Sequence, residues 1–152
     1  MADKNWKLIA ENRKARFDFF IEDQYEAGMV LVGTEVKSVR LGRVNLKDSY
    51  AKIVNGEVFV YQMHIGAYPF AYYDNHEPLR IRKLLLHSTE IRKLTAKLNE
   101  QGFTLIPLRV YIKDGKIKMT LGLARGKRKY DKRDTIRKRD QDRELRRVRK
   151  EL

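Results

Sequence analysis

The residues best equipped for chemistry in this chain are cations set beside aromatic rings. Arg80, Arg82 and Lys83 follow a long loop, Gly66–Pro78, that carries Tyr68, Phe70, Tyr72 and Tyr73. Such rings stack on unpaired bases, worth about 1–3 kcal/mol each, while ammonium and guanidinium groups hold phosphates. Lys37 and Arg40 stand three apart on a predicted short helix and so share a face. Lys116 and Lys118 alternate with Ile117 and Met119, which places them on the polar side of a predicted strand. Any one of these groups alone reads as a solvated face; their accumulation beside rings points to RNA. Glu26, flanked by Tyr25 and Ala27-Gly28, adds an acceptor. It suits a guanine edge or a ribose hydroxyl, and equally a local hydrogen bond at a strand bend.

Covalent chemistry fits poorly. His64, His76 and His87 share no metal-ligand spacing such as HExxH, and no GxSxG or phosphate-binding loop occurs. The chain has no cysteine, hence no thiolate nucleophile, disulfide or thiolate metal site. A cationic nuclease using His76 with a Lys or Tyr is the enzymatic alternative. No cofactor is expected.

The charge is unevenly spread. Of a formal +14, the segment 125–152 holds +8, from fourteen Lys or Arg against six Asp or Glu. Its apolar content after Tyr130 is Ile136, Leu145, Val148 and Leu152, too little to offset chain ordering, so it is expected to be disordered when free. It is nevertheless helix-capable: no Pro or Gly follows Gly126, and Asp134/Lys138 and Asp142/Arg146 form acidic-then-basic i, i+4 pairs. Folding as a charged helix in an RNA-lined channel is one reading, a plain solubilising tail the other. No apolar run approaches the roughly 20 residues of a membrane span. Met1–Glu11 lacks a signal-peptide core and reads as a flexible lead-in. The cytoplasm is the expected compartment.

The elements that position these groups follow from periodicity. Phe17, Phe19 and Ile21 alternate with charged residues as in a half-buried strand, and Gly28 marks a bulge or bend before Met29–Val32. Gly33–Gly42 reads as a short helix capped by Thr34. Ser49–His64 is a hairpin across Asn55-Gly56, and Phe103–Ile112 pairs with Lys116–Leu123 across Asp114-Gly115. Ser88–Gln101 is a helix with Ser88 as cap and Ile91, Leu94, Thr95 and Leu98 on one face. About six mostly antiparallel strands with two or three helices suggest a mainly β domain over residues 1–124. A partly open oligonucleotide-binding (OB) barrel over these strands leaves few exposed edges. A β-sandwich with outside helices is the competitor.

Several segments share one likeness: Asn12-Arg13-Lys14-Ala15, Glu26-Ala27-Gly28, Gly33-Thr34-Glu35-Val36-Lys37-Ser38 and Asn45-Leu46-Lys47-Asp48-Ser49-Tyr50. Asn75-His76-Glu77-Pro78, Arg80–Leu86 and Gly122–Lys127 running into Tyr130–Arg133 belong with them. With these motifs the chain resembles the small protein B (SmpB) family, the SsrA-binding proteins of bacteria, from Asn12 to Arg133. The resemblance implies an OB-type barrel that binds the tRNA-like domain of transfer-messenger RNA (tmRNA) and delivers it to stalled ribosomes. It implies a tail that enters the decoding centre and the empty message channel. Alanyl-tRNA synthetase and elongation factor Tu would be reached only through the RNA, and the family performs no covalent chemistry.

By matching motif, the RNA surface is expected to include Asn12, Arg13, Lys14, Glu26, Glu35, Lys37, Arg40, His76, Arg80, Arg82, Lys83 and Leu85. Lys116, Lys118, Arg125 and Lys127 extend it. The tail role falls on Lys129, Tyr130, Asp131, Lys132, Arg133, Arg137 and Lys138. Some relatives place His where Tyr130 stands, and either ring can stack on a base. The alternative partner is ribosomal RNA, bound constitutively by a ribosomal or translation-factor OB protein.

Overall fold

Two tight turns organise the sheet. Asn55 and Gly56 adopt φ of 51° and 75°, and Asp114 and Gly115 adopt 51° and 76°. Paired positive φ angles define the type I′ turn, whose twist matches that of the strands it joins. A computed structural model describes residues 5–71, 73–100 and 102–127, together with Arg139 and Arg143. Its strands are β1 (Trp6–Glu11), β2 (Phe19–Met29), β3 (Val44–Asn45), β4 (Tyr50–Val54), β5 (Glu57–Tyr61), β6 (His64–Ile65), β7 (Arg82–Leu85), β8 (Phe103–Lys113) and β9 (Lys116–Gly126). The helices are α1 (Arg13–Asp18), α2 (Gly33–Arg40) and α3 (Ser88–Leu98).

The main sheet runs β1-β8-β4-β5-β7-β2-β9, and a further β8–β9 pairing closes six of its strands into an antiparallel ring. This is the OB-type barrel expected from the strand count. Inside lie Ala27, Val58, Val60, Leu84, Leu105, Val110, Met119 and Leu121, with Leu94 of α3 buried against them. A second, smaller cluster of Ala15, Ile106, Leu108 and Ala124 seats α1. There β9 needs a glycine: a Cβ on Gly122 would stand 2.9 Å from the Leu108 side chain.

Several details differ from expectation. Trp6–Glu11, read as a flexible lead-in, is β1, paired along β8 from Trp6↔Lys113 to Glu11↔Arg109. The open edge of β8 supplies backbone partners there, and Trp6 packs on Tyr111 with centroids 5.5 Å apart. Arg13–Asp18 turns as α1 before β2 starts, so the strand begins at Phe19. The bulge in β2 falls between Ile21 and Asp23 rather than at Gly28, where the strand continues and pairs with both β9 and β7. The caps precede those expected by one or two residues. The Val32 and His87 amides donate to Glu35 and Glu90, three positions on, at 2.9 and 3.1 Å. The last strand runs to Gly126, past the expected boundary at 124. The tail beyond Lys127, including its expected disorder, lies outside the described residues apart from Arg139 and Arg143. Both are helical, and the Arg139 guanidinium sits 5.5 Å from the Phe17 ring centroid.

Candidate nucleic-acid interface

The loop that carries the aromatic rings is held by a buried polar network centred on Glu35, in the first turn of α2. Its Oε1 accepts from the Val32 amide at 2.9 Å and from Arg80 Nη2 at 2.5 Å. Its Oε2 accepts from Arg82 Nε at 2.5 Å. Arg82 then donates to the carbonyls of Met63 and Pro78 at 2.5 and 3.1 Å. Burial works to raise the Glu35 carboxyl pKa, but the bonds from Arg80, Val32 and Arg82 prevail and hold it below the usual range. Burial likewise pulls the Arg82 pKa down against the support of Glu35. Nearby, His76 Nε2 donates to the Ile65 carbonyl at 2.8 Å, and Nδ1 meets Thr34 Oγ1 at 2.9 Å. With the Nε2 proton given to a carbonyl, Nδ1 accepts the threonine hydroxyl.

Three residues expected on the RNA surface therefore stand behind it. Glu35 and Arg82 are wholly buried and His76 nearly so. Arg80 precedes β7, and Arg82 begins it with its side chain turned inward. Arg80 reaches the surface with 37 % of its side chain exposed while still bridging Glu35.

In front of this network stands an exposed aromatic and basic patch. Lys37 Nζ lies 5.5 Å from the Tyr68 ring centroid, and Tyr68 meets Phe70 edge-on at 5.5 Å. Asn75 clamps the Tyr68 backbone through both its side-chain atoms, at 3.0 and 3.1 Å. Phe70 and Tyr73 project with 77 % and 79 % of their surface open. Arg40 is exposed at the end of α2. Tyr72 is outside the described residues.

A second patch covers the outside of the barrel. Gly28 is the register partner of both Leu85 and Lys118. A Cβ there would point at Leu85 Cβ (3.5 Å) and Lys118 Nζ (3.8 Å), so the two side chains flank one spot. One strand step away, Glu26 accepts from the Tyr111 hydroxyl and lies 3.7 Å from Lys113 Nζ. The Tyr111 bond is the main reason the Glu26 carboxyl is held below its ordinary pKa, with Lys113 and Lys118 adding to it against burial. Burial first, then the bond to Glu26, pushes the Tyr111 phenol up to about 12. Lys83 pairs with Glu57 at 3.1 Å on the adjoining strands, and Lys116 is exposed at the β8–β9 tip.

Arg13 and Lys14 are exposed beside a cleft of about 500 Å³ that they line with Asn12, Asn45, Lys47, Asp48 and Tyr50. The Asn12 amide is committed to the Pro107 carbonyl at 3.1 Å, which anchors α1. Arg125 is exposed on β9, and Lys127 Nζ stands 5.0 Å from the Phe20 centroid. The tail positions Lys129, Tyr130, Asp131, Lys132, Arg133, Arg137 and Lys138 lie outside the described residues. No cluster of His, Asp or Glu that could hold a metal occurs among the described residues. Among them, too, no helix is long and apolar enough to cross a membrane.

Sequence reasoning missed Tyr50, Lys52 and Tyr61. The two tyrosines stack at 5.3 Å with rings 5° from parallel, and Lys52 Nζ stands 5.5 and 5.8 Å from their centroids. Counting outward from the Asn55-Gly56 turn pairs Tyr50 with Tyr61, so this signal was available. It also missed Tyr111 and Lys113, which meet Glu26 from far along the chain, Tyr111 across 85 positions, and leave no local trace.

Comparison with known proteins places these features in a group. The family model described as "SmpB protein" matches residues 9–151. An SsrA-binding protein of Geobacillus thermodenitrificans (strain NG80-2) is 57% identical over 142 residues, covering 93% of this chain and 92% of the relative. That of Halothermothrix orenii (strain H 168) is 56% identical over 151 residues, covering 99% and 97%. Among solved structures, a chain described under "tmRNA-SmpB: a journey to the center of the bacterial ribosome" superposes with a TM-score of 0.67. It is 45% identical, over 84% of this chain and 94% of that one.

Proposed function

Because this chain belongs to the SmpB protein family, we propose that it binds the tRNA-like domain of tmRNA and brings it to ribosomes stalled on messages without a stop codon. The observation that carries the reading is the outer barrel face, where Glu26, Lys83, Leu85 and Lys118 converge from three neighbouring strands. Cations there meet phosphates, and the open acceptor and apolar side chain meet the edges and faces of splayed bases. The loop patch of Lys37, Tyr68, Phe70 and Tyr73 supplies a second set of rings and charge. Glu35, Arg82 and His76 serve by holding that loop in shape. Asn12 serves by fixing α1, which presents Arg13 and Lys14. Leu85, half exposed, offers an apolar shelf.

The segment after Gly126 is assigned the ribosomal half of the task, entering the decoding centre and the empty message channel as a helix. Tyr130 would stack there, and Lys129, Lys132, Arg133, Arg137 and Lys138 would meet rRNA phosphates. Alanyl-tRNA synthetase and elongation factor Tu would act on the RNA, without a site on this chain, and no catalytic step is assigned to it. The test is a truncation after Gly126. Its affinity for the tRNA-like domain is expected to stay within about tenfold of the full chain, since the phosphates it forfeits belong to the ribosome. Rescue of stalled ribosomes in a reconstituted translation system is expected to disappear. Loss of both together, or of neither, would refute the division of labour.

A further inference from the structure

The root of the tail and a point well along it meet the barrel at one corner, where α1 passes into β2. At the root, Gly126 and Arg125 are the register partners of Phe19 and Phe20. The Lys127 amide donates to the Asp18 carbonyl at 2.9 Å, and its Nζ stands 5.0 Å from the Phe20 centroid. Arg139, twelve residues further along the chain, places its guanidinium 5.5 Å from the centroid of Phe17, the residue before Asp18. Leading straight away, twelve residues would carry the chain about 18 Å as a helix or about 40 Å as a strand, so the contact marks a return. Arg143 follows one helical turn later and, like Arg139, is helical and exposed. The composition of the corner suits such an occupant. Residues 17–24 hold three phenylalanines and the acids Asp18, Glu22 and Asp23, with no cation, whereas residues 13–16 hold three cations. Beyond Lys127 the tail carries twelve Lys or Arg against six acids. Guanidinium groups stack on aromatic faces better than ammonium groups do, which fits an arginine at the ring.

We propose that the tail has a docking site on its own barrel, at the α1–β2 corner, where Phe17 receives Arg139 and the acids Asp18, Glu22 and Asp23 attract the cations around it. One exposed cation on one ring is a weak contact, so the docked form exchanges readily with an open one. RNA phosphates compete for the same guanidinium groups, and a polyanion of high charge density displaces the barrel from them. Until then docking withholds part of the tail from RNA in general, because only the open fraction can bind and the apparent affinity falls in proportion. The benefit of that restraint rests on the ribosomal role assigned to the tail above; the docking itself does not.

The experiment follows the full-length protein without RNA. Backbone amide relaxation by NMR reads the mobility of residues 136–146, and the initial rate of trypsin cleavage within them reads the open population. Phe17→Leu keeps an apolar side chain and removes the π face. It should make these amides more mobile and speed cleavage roughly two- to fivefold, the span of an exposed cation–π contact. Arg139→Gln, which lies in the tail and leaves the barrel sequence untouched, should increase the mobility equally. The double variant should add nothing to either single change, since both remove one contact. In fluorescence anisotropy with an unrelated RNA hairpin at low salt, Phe17→Leu should bind about two- to fivefold more tightly than the parent. Docking is overturned if the parent's tail is as mobile as that of both variants, or if the two substitutions act additively. Unchanged hairpin affinity in Phe17→Leu overturns the competition with RNA. A parent that shows docking but does not rescue stalled ribosomes is a distinct result, which refutes the functional reading and leaves the docking site standing.

Discussion

Arg82→Ala should unfold this protein before it reveals anything about RNA. The guanidinium is wholly buried and bonds Glu35, the Met63 carbonyl and the Pro78 carbonyl at 2.5, 2.5 and 3.1 Å. Deleting it leaves the Glu35 carboxylate with Arg80 and the Val32 amide but without its buried counter-ion. Breaking a buried pair from one side costs about 3–5 kcal/mol, much of a domain's typical total of roughly 5–15. Near 125 folded residues, each kcal/mol moves the midpoint by about 3–5 °C, so a drop on the order of 10–20 °C is expected. Calorimetry of the full chain reads this directly. Arg82→Lys keeps the charge but lacks the fork that reaches two carbonyls and an acid together, so it should fall between the two. The double variant Glu35→Leu/Arg82→Met removes both charges and should recover much of the loss, since a buried pair is often replaceable by apolar groups of like volume. An Arg82→Ala midpoint within about 3 °C of the parent, which corresponds to less than 1 kcal/mol, would refute the reasoning.

The same network predicts an acid sensitivity. The folded-state pKa of Glu35 is depressed, so its contribution is fully present above the unfolded value near 4.3 and is lost as pH falls through the lower folded value. Glu35→Gln should flatten the decline in melting temperature below about pH 4.5 relative to the parent, and an equally steep decline in both would contradict this. The loop rings supply the converse case: Phe70→Ala and Tyr73→Ala remove side chains that are mostly in solvent, so melting should barely shift. Affinity for the tRNA-like domain should fall by about 1–3 kcal/mol for whichever ring stacks on a base, and unchanged binding in both variants would remove the loop from the interface.

How far the sequence revealed this molecule depends on the range of each interaction. Asn55-Gly56 and Asp114-Gly115 marked both hairpins because a type I′ turn imposes its demand on two adjacent residues. Alternation across Ile117, Met119 and Leu121 likewise identified the inner face of β9. What stayed hidden was decided across the barrel. Lys37, Arg40, Arg80, Arg82 and Glu35 look alike as charged residues in a basic chain, yet Glu35 and Arg82 meet over 47 positions and vanish from the surface. No local pattern separates a cation that will face phosphate from one that will face a buried acid. Motif resemblance picks out both kinds together: Lys37 and Arg40 stand exposed, whereas Glu35 and Arg82 lie buried behind the loop. The distinction has an experimental form: surface cations should change affinity and its salt dependence with the fold intact, whereas Arg82 should change the melting temperature first. Applied to residues such as Lys118 and Arg82, that pair of measurements sorts contact from support where sequence alone cannot.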